Sequence, residues 1–358
     1  VEGTVLMPNG TDPVSGALVF AVDKSATNHD GEAPDEPYLA YTYSEADGTF
    51  ELTGVPTGSQ TFKIQKGAFE KTFDFDVVEG SNTLDDDTTT LPSETGSGGS
   101  VGSMAVVTGS FDAIQNVLAR LGLGDHDASG ALTLGTETFT LIDGNNSLSD
   151  AEYQNFDEFF ADPANFDDFR TIFLNCGNDY ELDFFDDADA VNGLTAWVEN
   201  GGRLYCTDWS YDFCEQLFPE YIDFAGDAVT DGLSATAETP DVAQNGGGET
   251  SLDATIEDAA LLAWLDGLGA TNPDDTVNIV DWLIAWAAID DVSTDVKVWA
   301  RADVTYGFPE VSGNRPVTVT FDVGDGVVLF SSYHTEEEPQ AELTPQDRIL
   351  QYLVFEVL

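Results

Sequence analysis

Short apolar runs separated by amphipathic stretches dominate the middle of the chain and limit the folds open to it. Ala190–Glu199 and Asp112–Leu121 carry apolar residues at helical spacing, and Ser149 with Glu152 forms a capping-box pattern ahead of another helix. The apolar runs themselves are Met104–Thr108, Phe139–Ile142, Thr171–Asn175 and Arg203–Cys206. Because buried strands joined by helices require crossover connections, this alternation predicts an α/β domain with a doubly wound, mostly parallel sheet.

The same domain is predicted to reach the end of the chain. Strand patterns recur at Val296–Ala300, Val317–Phe321 and Val327–Ser331, and Thr344–Val357 predicts a terminal helix. The intervening region is less regular. We therefore interpret residues 104–358 as one α/β domain with an insertion at about residues 220–316.

The first part of the chain has a different periodicity. Residues 1–90 form short alternating runs between turn sequences such as Pro8-Asn9-Gly10 and Asp47-Gly48, without a helical pattern. This pattern predicts an all-β sandwich. Residues 91–103 are rich in glycine and serine, which predicts a linker between the two domains.

Several short motifs in residues 1–90 resemble the carboxypeptidase regulatory-like family, which has a transthyretin-like β-sandwich. The motifs are Gly3-x-Val5, Gly16-Ala17-x-Val19, Asp47-Gly48-x-Phe50-x-Leu52 and Val55-Pro56-x-Gly58. The resemblance implies a non-catalytic stalk, spacer or binding module.

Charge restricts the environment and the partners of the protein. The chain has 67 acidic residues and 11 basic ones, which gives a formal net charge of −56. Such a field repels nucleic acid and anionic membranes, and the sequence contains no apolar run long enough to span a bilayer. A surface of this kind is typical of proteins from saline or marine habitats or from a calcium-containing exterior. Together with a start at Val1, it predicts an extracellular or cell-surface protein whose secretion signal has been removed.

Potential catalytic residues follow the predicted strands of the α/β domain. Cys176 and Cys206 each end an apolar run, and His334-x-Glu336 follows a late one. This order resembles the class I glutamine amidotransferase-like fold, including its ThuA-like relatives, over residues 104–219 and 317–358. The resemblance implies a flavodoxin-like arrangement in which Cys206 is the nucleophile, His334 the base and Glu336 the residue that orients the base.

The turn around Cys206 departs from the family motif. The family has G-x-C-x-G, whereas this chain has Leu204-Tyr205-Cys206-Thr207-Asp208. The small residues that permit a tight turn are missing, and the nearby Asp208 disfavours a thiolate. Cys176 could also form a disulfide with Cys206. These features favour a degenerate, non-catalytic domain.

Weaker patterns concern metal and ligand binding. The run Asp85-Asp86-Asp87 could bind calcium through carboxylate oxygens, although no EF-hand spacing is present. These patterns predict no organic cofactor, and calcium is the one ion that they suggest. Trp209, beside the turn at Cys206, is the tryptophan that we expect to line a pocket.

Taken together, these patterns favour a non-catalytic structural or adhesion protein of the cell surface. Self-assembly into a filament or matrix is a sharper form of this hypothesis, with other surface proteins as alternative partners. A Cys–His–Glu hydrolase or amidotransferase-like enzyme remains an alternative, as does a calcium- or carbohydrate-binding module.

Overall fold

The computed structural model describes most of the chain, in two compact units. The described residues are 1–23, 38–148, 153–178, 181–226, 233, 239–244, 246, 251–280, 286–336 and 339–357. The predicted capping box of Ser149 and Glu152 lies outside them. The first unit comprises residues 1–102, 120–125 and 352–358, and the second comprises residues 103–119 and 126–351.

The first unit contains antiparallel sheets and little helix. Its strands are β1 (Glu2–Thr4), β2 (Leu18–Val22), β3 (Tyr38–Tyr43), β4 (Thr49–Glu51), β5 (Gly58–Lys66), β6 (Phe69–Val77) and β7 (Gly99–Val101), with the short helix α1 (Asp86–Thr89). Strands β1 and β4 form one sheet, and the other follows the order β3-β2-β5-β6-β7. The strand β7 lies within the predicted linker and pairs with β6. Membership of the transthyretin-like family stays a prediction.

The core of this unit is formed by apolar side chains at alternate positions of its strands. Phe62 and Ile64 in β5 are fully buried, as is Phe20 in the neighbouring β2. The ring of Phe62 stacks on Phe73 of β6, with centroids 5.5 Å apart. Residues two apart on a strand lie on the same face, so this spacing directs one face of the sheet to the core.

The second unit combines strands and helices along its whole length. Its strands are β8 (Met104–Val107), β9 (Thr140–Asp143), β10 (Gln154–Asn155), β11 (Thr171–Leu174), β12 (Arg203–Thr207), β13 (Ile222–Phe224), β14 (Leu252–Ile256), β15 (Thr276–Ile279), β16 (Ile289–Val292), β17 (Lys297–Tyr306), β18 (Val311–Val323) and β19 (Gly326–Ser331). The α-helices are α2 (Ile114–Leu118), α3 (Phe156–Phe160), α4 (Glu181–Asp186), α5 (Ala188–Glu199), α6 (Asp212–Glu215), α7 (Ala259–Gly267) and α8 (Pro345–Glu356). The last residues of α8, from Tyr352 on, belong to the first unit. Short 3₁₀ segments occupy Pro163–Asn165 and Asp208–Tyr211. A π-helical turn occupies Ala119–Leu123, and all of it after Ala119 belongs to the first unit.

A ten-stranded sheet with the order β10-β9-β8-β11-β12-β19-β18-β17-β14-β15 organises this unit. Pairing is parallel from β10 to β19 and antiparallel from β19 to β15. The predicted α/β class is thus confirmed, with a sheet that is parallel in one half only. Strands β14, β15 and β17 come from the region interpreted as an insertion, and they extend the main sheet.

The parallel half of the sheet positions the candidate site. Every residue of β8 and β11 is buried, because these strands are covered on both faces. The chain leaves β8 toward β9 on one side, whereas β11 adds on the other side. This reversal is a topological switch point, where ligands bind in open α/β sheets.

Within the described residues, no helix combines the length and the apolar character needed to cross a membrane.

Candidate functional site

The carboxyl ends of four parallel strands meet at one edge of the second unit's sheet. These strands are β8, β11, β12 and β19, adjacent in that order. They are followed by Asp112, Cys176, Asp208 and His334, respectively. Side chains that are far apart in sequence therefore converge because their strands run side by side.

Asp208 occupies the turn that connects β12 to the next helical segment. Its φ angle is +42°, a left-handed conformation that is uncommon for residues other than glycine and is best tolerated by Asp and Asn. The backbone N–H of Ala287 donates to Asp208 Oδ1 at 2.7 Å. Only 2% of the residue is exposed. The turn therefore fixes a buried carboxylate at the end of the central strand.

The second oxygen of Asp208 contacts both an imidazole and a thiol. His334 Nε2 lies 2.9 Å from Asp208 Oδ2, and Cys176 Sγ donates to the same oxygen at 3.6 Å. One donor atom from each of the three residues lies within 4.8 Å of the others. We call Cys176, Asp208 and His334 the Cys–Asp–His cluster.

Burial governs the chemistry of the thiol in this cluster. Burial, followed by the negative charge of Asp208, raises the pKa of Cys176 well above its ordinary value. The Cys176 backbone N–H donates to Thr207 Oγ1 at 3.1 Å, which fixes the end of β11 against β12. The thiol is therefore held in its protonated form at neutral pH.

Asp112 joins the loop after β8 to the loop after β19. Its carboxylate accepts backbone N–H groups from Ala113 at 2.8 Å, Thr335 at 3.0 Å and Glu336 at 2.9 Å. Burial raises the pKa of Asp112 to about 6, although His334 and these hydrogen bonds favour the charged form. Asp112 thereby positions the segment that carries His334.

Cys206, His334 and Glu336, which the sequence predicts as a catalytic set, are not a group of described donor residues that converges within 4.8 Å. Cys206 is in β12, fully buried within the hydrophobic core. Glu336 Oε1 accepts a hydrogen bond from Asn116 Nδ2 at 2.8 Å. Of the predicted set, His334 alone belongs to the Cys–Asp–His cluster, when donor atoms of all described residues are compared. The catalytic roles of Cys206 and Glu336 stay predictions.

The suggested disulfide between Cys176 and Cys206 is absent. None of the three cysteines, all of which lie in the described residues, forms a disulfide. Cys206 pairs in register with Leu174, two residues before Cys176. This offset separates the two cysteines along the strands.

A cleft of about 570 Å³ lies beside the cluster. It is lined by Ser110, Phe111, Gly177, Asn178, Leu182, Asp183, Trp209, Asp212 and Asp241. The predicted position of Trp209 in a pocket is confirmed, and its indole N–H donates to Asp241 Oδ1 at 2.7 Å. Gly177 and Trp209 each follow a member of the cluster in sequence, so the cleft and the cluster share two loops.

Phe111 lines the cleft and contacts the His334 ring of the cluster. Its ring lies nearly parallel to that of His334, at 9° with centroids 6.4 Å apart. A Cβ atom on Gly177 would lie 2.6 Å from the Phe111 ring. Only glycine, which has no Cβ atom, therefore lets the loop after β11 come so close to that ring. Phe111 is 51% exposed and His334 only 4%, so one ring of the pair lies at the surface and the other in the interior.

The predicted calcium ligands lie in the first unit. Asp85 precedes α1, and Asp86 and Asp87 form its first turn. All three are exposed, and their oxygens are not among the described donor groups that converge within 4.8 Å. Calcium binding at these residues stays a prediction.

Neither a family profile nor a curated protein matches the chain. Several solved structures are similar to it at low identity. A ThuA-like protein from Parabacteroides merdae is 13% identical, over 70% of this chain and 88% of its own, with a TM-score of 0.37. A ThuA-like protein from Bacteroides uniformis is 9% identical, over 70% and 89%, at 0.39. PurLQS from Thermotoga maritima is 13% identical, over 71% and 98%, at 0.36. Structural similarity at TM-scores this low gives no information about activity.

Proposed function

We propose that this is a non-catalytic structural or adhesion protein of the cell surface, in which the Cys–Asp–His cluster stabilises the α/β unit. The observation that carries the proposal is the placement of Asp208. It occupies the turn after β12, where the sequence resemblance would require a nucleophile, and contacts His334 Nε2 at 2.9 Å. A carboxylate thus occupies the position beside His334 Nε2 that a nucleophile on the β12 turn would need.

Burial supports a structural role for the cluster. Cys176 and Asp208 are each 2% exposed and His334 is 4% exposed. A nucleophile must come within bonding distance of a substrate atom, and a covered thiol fails that requirement. The same contacts join the loops after β11, β12 and β19, so they stabilise the edge of the sheet.

The surface charge supports an extracellular location. A net charge of −56 keeps copies of the chain apart at low ionic strength and allows them to approach when salt or divalent cations screen the charge. Tyr38, Tyr41 and Tyr43 are exposed on β3, which ends its sheet among the described strands. An edge strand with exposed aromatic side chains favours strand addition by a second copy.

Enzyme assays test the non-catalytic half of the proposal. The full chain would be incubated with ester, amide and glutamine substrates, beside Cys176→Ala and His334→Gln. With every substrate, we expect the original chain to turn over no faster than the two variants. Turnover by the original chain that Cys176→Ala abolishes would contradict the proposal.

Assembly assays test the structural half. Sedimentation and negative-stain imaging would be performed in low salt, in molar NaCl and with added CaCl₂. We expect ordered assemblies when the charge is screened, and fewer of them for Tyr41→Lys combined with Tyr43→Lys. Monomers under all three conditions would count against assembly.

A second candidate function is a thiol hydrolase that uses Cys176 in place of Cys206. The proximity of Cys176 Sγ and His334, within 4.8 Å beside the cleft, favours it. In this alternative, Phe111 would have to move to admit a substrate. Cys176-dependent turnover in the enzyme assay would establish it.

A further inference from the structure

We propose that the Cys–Asp–His cluster is a binding site for Zn²⁺. This inference goes beyond the proposed function, because a non-catalytic domain could bind the ion or lack it. Three residues carry the inference: Cys176, Asp208 and His334, from separate loops of the second unit.

The types of donor atom favour a transition metal. A cysteine sulfur, an imidazole nitrogen and a carboxylate oxygen together form a mixed set that zinc accepts. Calcium and magnesium prefer oxygen donors, and the cluster offers a single carboxylate to them. The donor set therefore selects zinc over the divalent cations that an acidic surface attracts.

The spacing of the donors also fits a zinc ion. With metal–ligand distances of about 2.0–2.3 Å, the donors of a tetrahedral site lie roughly 3.3–3.6 Å apart. The distance from Cys176 Sγ to Asp208 Oδ2 is 3.6 Å, and the distance from His334 Nε2 to that oxygen is 2.9 Å. Because all three donors already lie within 4.8 Å of one another, binding requires small movements of the side chains.

Neighbouring groups hold two of the three donors in place. Asp208 Oδ1 accepts the Ala287 N–H at 2.7 Å, while Oδ2 faces the other two donors. The ring of His334 lies nearly parallel to that of Phe111, with centroids 6.4 Å apart. The hydrogen bond to Asp208 is the kind of outer contact that orients a metal ligand and raises affinity.

Electrostatics gives the ion a stabilising role. The cluster buries a carboxylate beside an imidazole and a thiol, and a buried carboxylate is costly without a compensating charge. A dication would compensate the carboxylate and a thiolate together. Three protein donors leave a fourth tetrahedral position for water or for a group from the adjacent cleft.

Cobalt substitution of the full chain tests the site, since Co²⁺ bound by a thiolate gives a charge-transfer absorption that carboxylates do not give. The titration would use purified, metal-stripped protein in molar NaCl with excess CaCl₂, which saturates exposed carboxylates. We expect one equivalent of Co²⁺ with the thiolate band and a tetrahedral visible spectrum, and displacement of Co²⁺ by one equivalent of Zn²⁺. Absence of the thiolate band would overturn the proposal.

Variants locate the site. Cys176→Ser and His334→Gln should each weaken Zn²⁺ binding by roughly 100-fold or more, since even outer-shell changes cost tenfold to 100-fold. Cys214→Ser removes another buried thiol, and His126→Gln removes an exposed imidazole, so both should bind Zn²⁺ as the original chain does. A thiolate band that survives in Cys176→Ser would contradict the assignment.

Protection of the thiol gives a test that needs no variant. One equivalent of Zn²⁺ should slow alkylation of Cys176 in the original chain, leave Cys214 unchanged, and be reversed by a chelator. Equal rates for Cys176 with and without Zn²⁺ would overturn the proposal. Either result leaves the non-catalytic proposal standing, because that proposal concerns turnover and the reactivity of the metal-free thiol, whereas this test measures only the change on adding Zn²⁺.

Discussion

At the scale of single residues, Asp208 explains most of what the sequence could not predict about the site. The apolar run ending at Cys206 made that residue the expected turn, but β12 continues through Thr207. The turn therefore falls on Asp208, whose side chain meets Cys176 and His334. His334 could be found from its motif. Its partners depend on which strands are neighbours, and the sequence does not specify that order.

Asp112 provides a prediction about the loop that carries His334. Asp112→Ala would leave the buried N–H groups of Thr335 and Glu336 without their acceptor, which costs about 2–4 kcal/mol of unfolding free energy. Asp157→Ala, an exposed position in α3, serves as the control and should change stability by less than about 0.5 kcal/mol. Urea unfolding measures both, and equal effects would contradict the role of Asp112.

Asp212 provides a prediction about pH. Burial, aided by the charge of Asp241, raises the pKa of Asp212 from 3.8 to about 6, against the hydrogen bonds from Asp241 and Gln216. The folded state therefore holds this proton more tightly than the unfolded state. The resulting stabilisation is complete below pH 3.8 and is lost as the pH rises through about 6.

A pKa shift of this size corresponds to a stabilisation on the order of 3 kcal/mol at most. Asp212→Asn should remove it, so the variant should lose less stability than the original chain between pH 4.5 and pH 7. The difference between the two chains, measured by urea unfolding at both values, cancels the titration of all other carboxylates. Parallel pH profiles would show that Asp212 does not titrate in this range.

At the scale of elements, the parallel strands could be predicted and the antiparallel half could not. Strands β8, β11 and β12 are continuous apolar runs, since both of their faces are buried. Strands β17 and β18 alternate apolar and polar residues over a long hairpin, and only their most apolar parts were visible as strand patterns. Long-range pairing of β14 with β17 leaves no local signature, and for this reason the sequence alone predicts an insertion at residues 220–316.

The close approach of two loops beside the cleft provides a prediction at this scale. Gly177 has φ +83° and a Cβ there would meet the Phe111 ring, whereas Gly135 has φ +86° and open space around it. Gly135→Ala should cost about 1 kcal/mol from backbone strain alone, and Gly177→Ala about 1 kcal/mol more from the displaced ring. Equal losses in thermal unfolding would show that Phe111 is not held by this contact.

At the scale of the whole molecule, charge should govern stability. The excess of 67 acidic over 11 basic residues opposes compaction, and the screening length falls from about 10 Å at 0.1 M salt to about 3 Å at 1 M. Thermal unfolding should therefore shift upward by several degrees between these concentrations, equally in NaCl and KCl. A midpoint independent of salt would mean that the acidic surface imposes no penalty on folding.

The most direct test of the non-catalytic account is the alkylation rate of Cys176 in the native chain at pH 7, after removal of metal ions. Mass spectrometry resolves it from Cys206 and Cys214, which are also buried and form no disulfide. We predict that all three react roughly 100-fold or more slowly than a small model thiol, and at the model rate in urea. A native Cys176 that reacts faster than the model thiol, while Cys206 and Cys214 stay slow, would contradict the account.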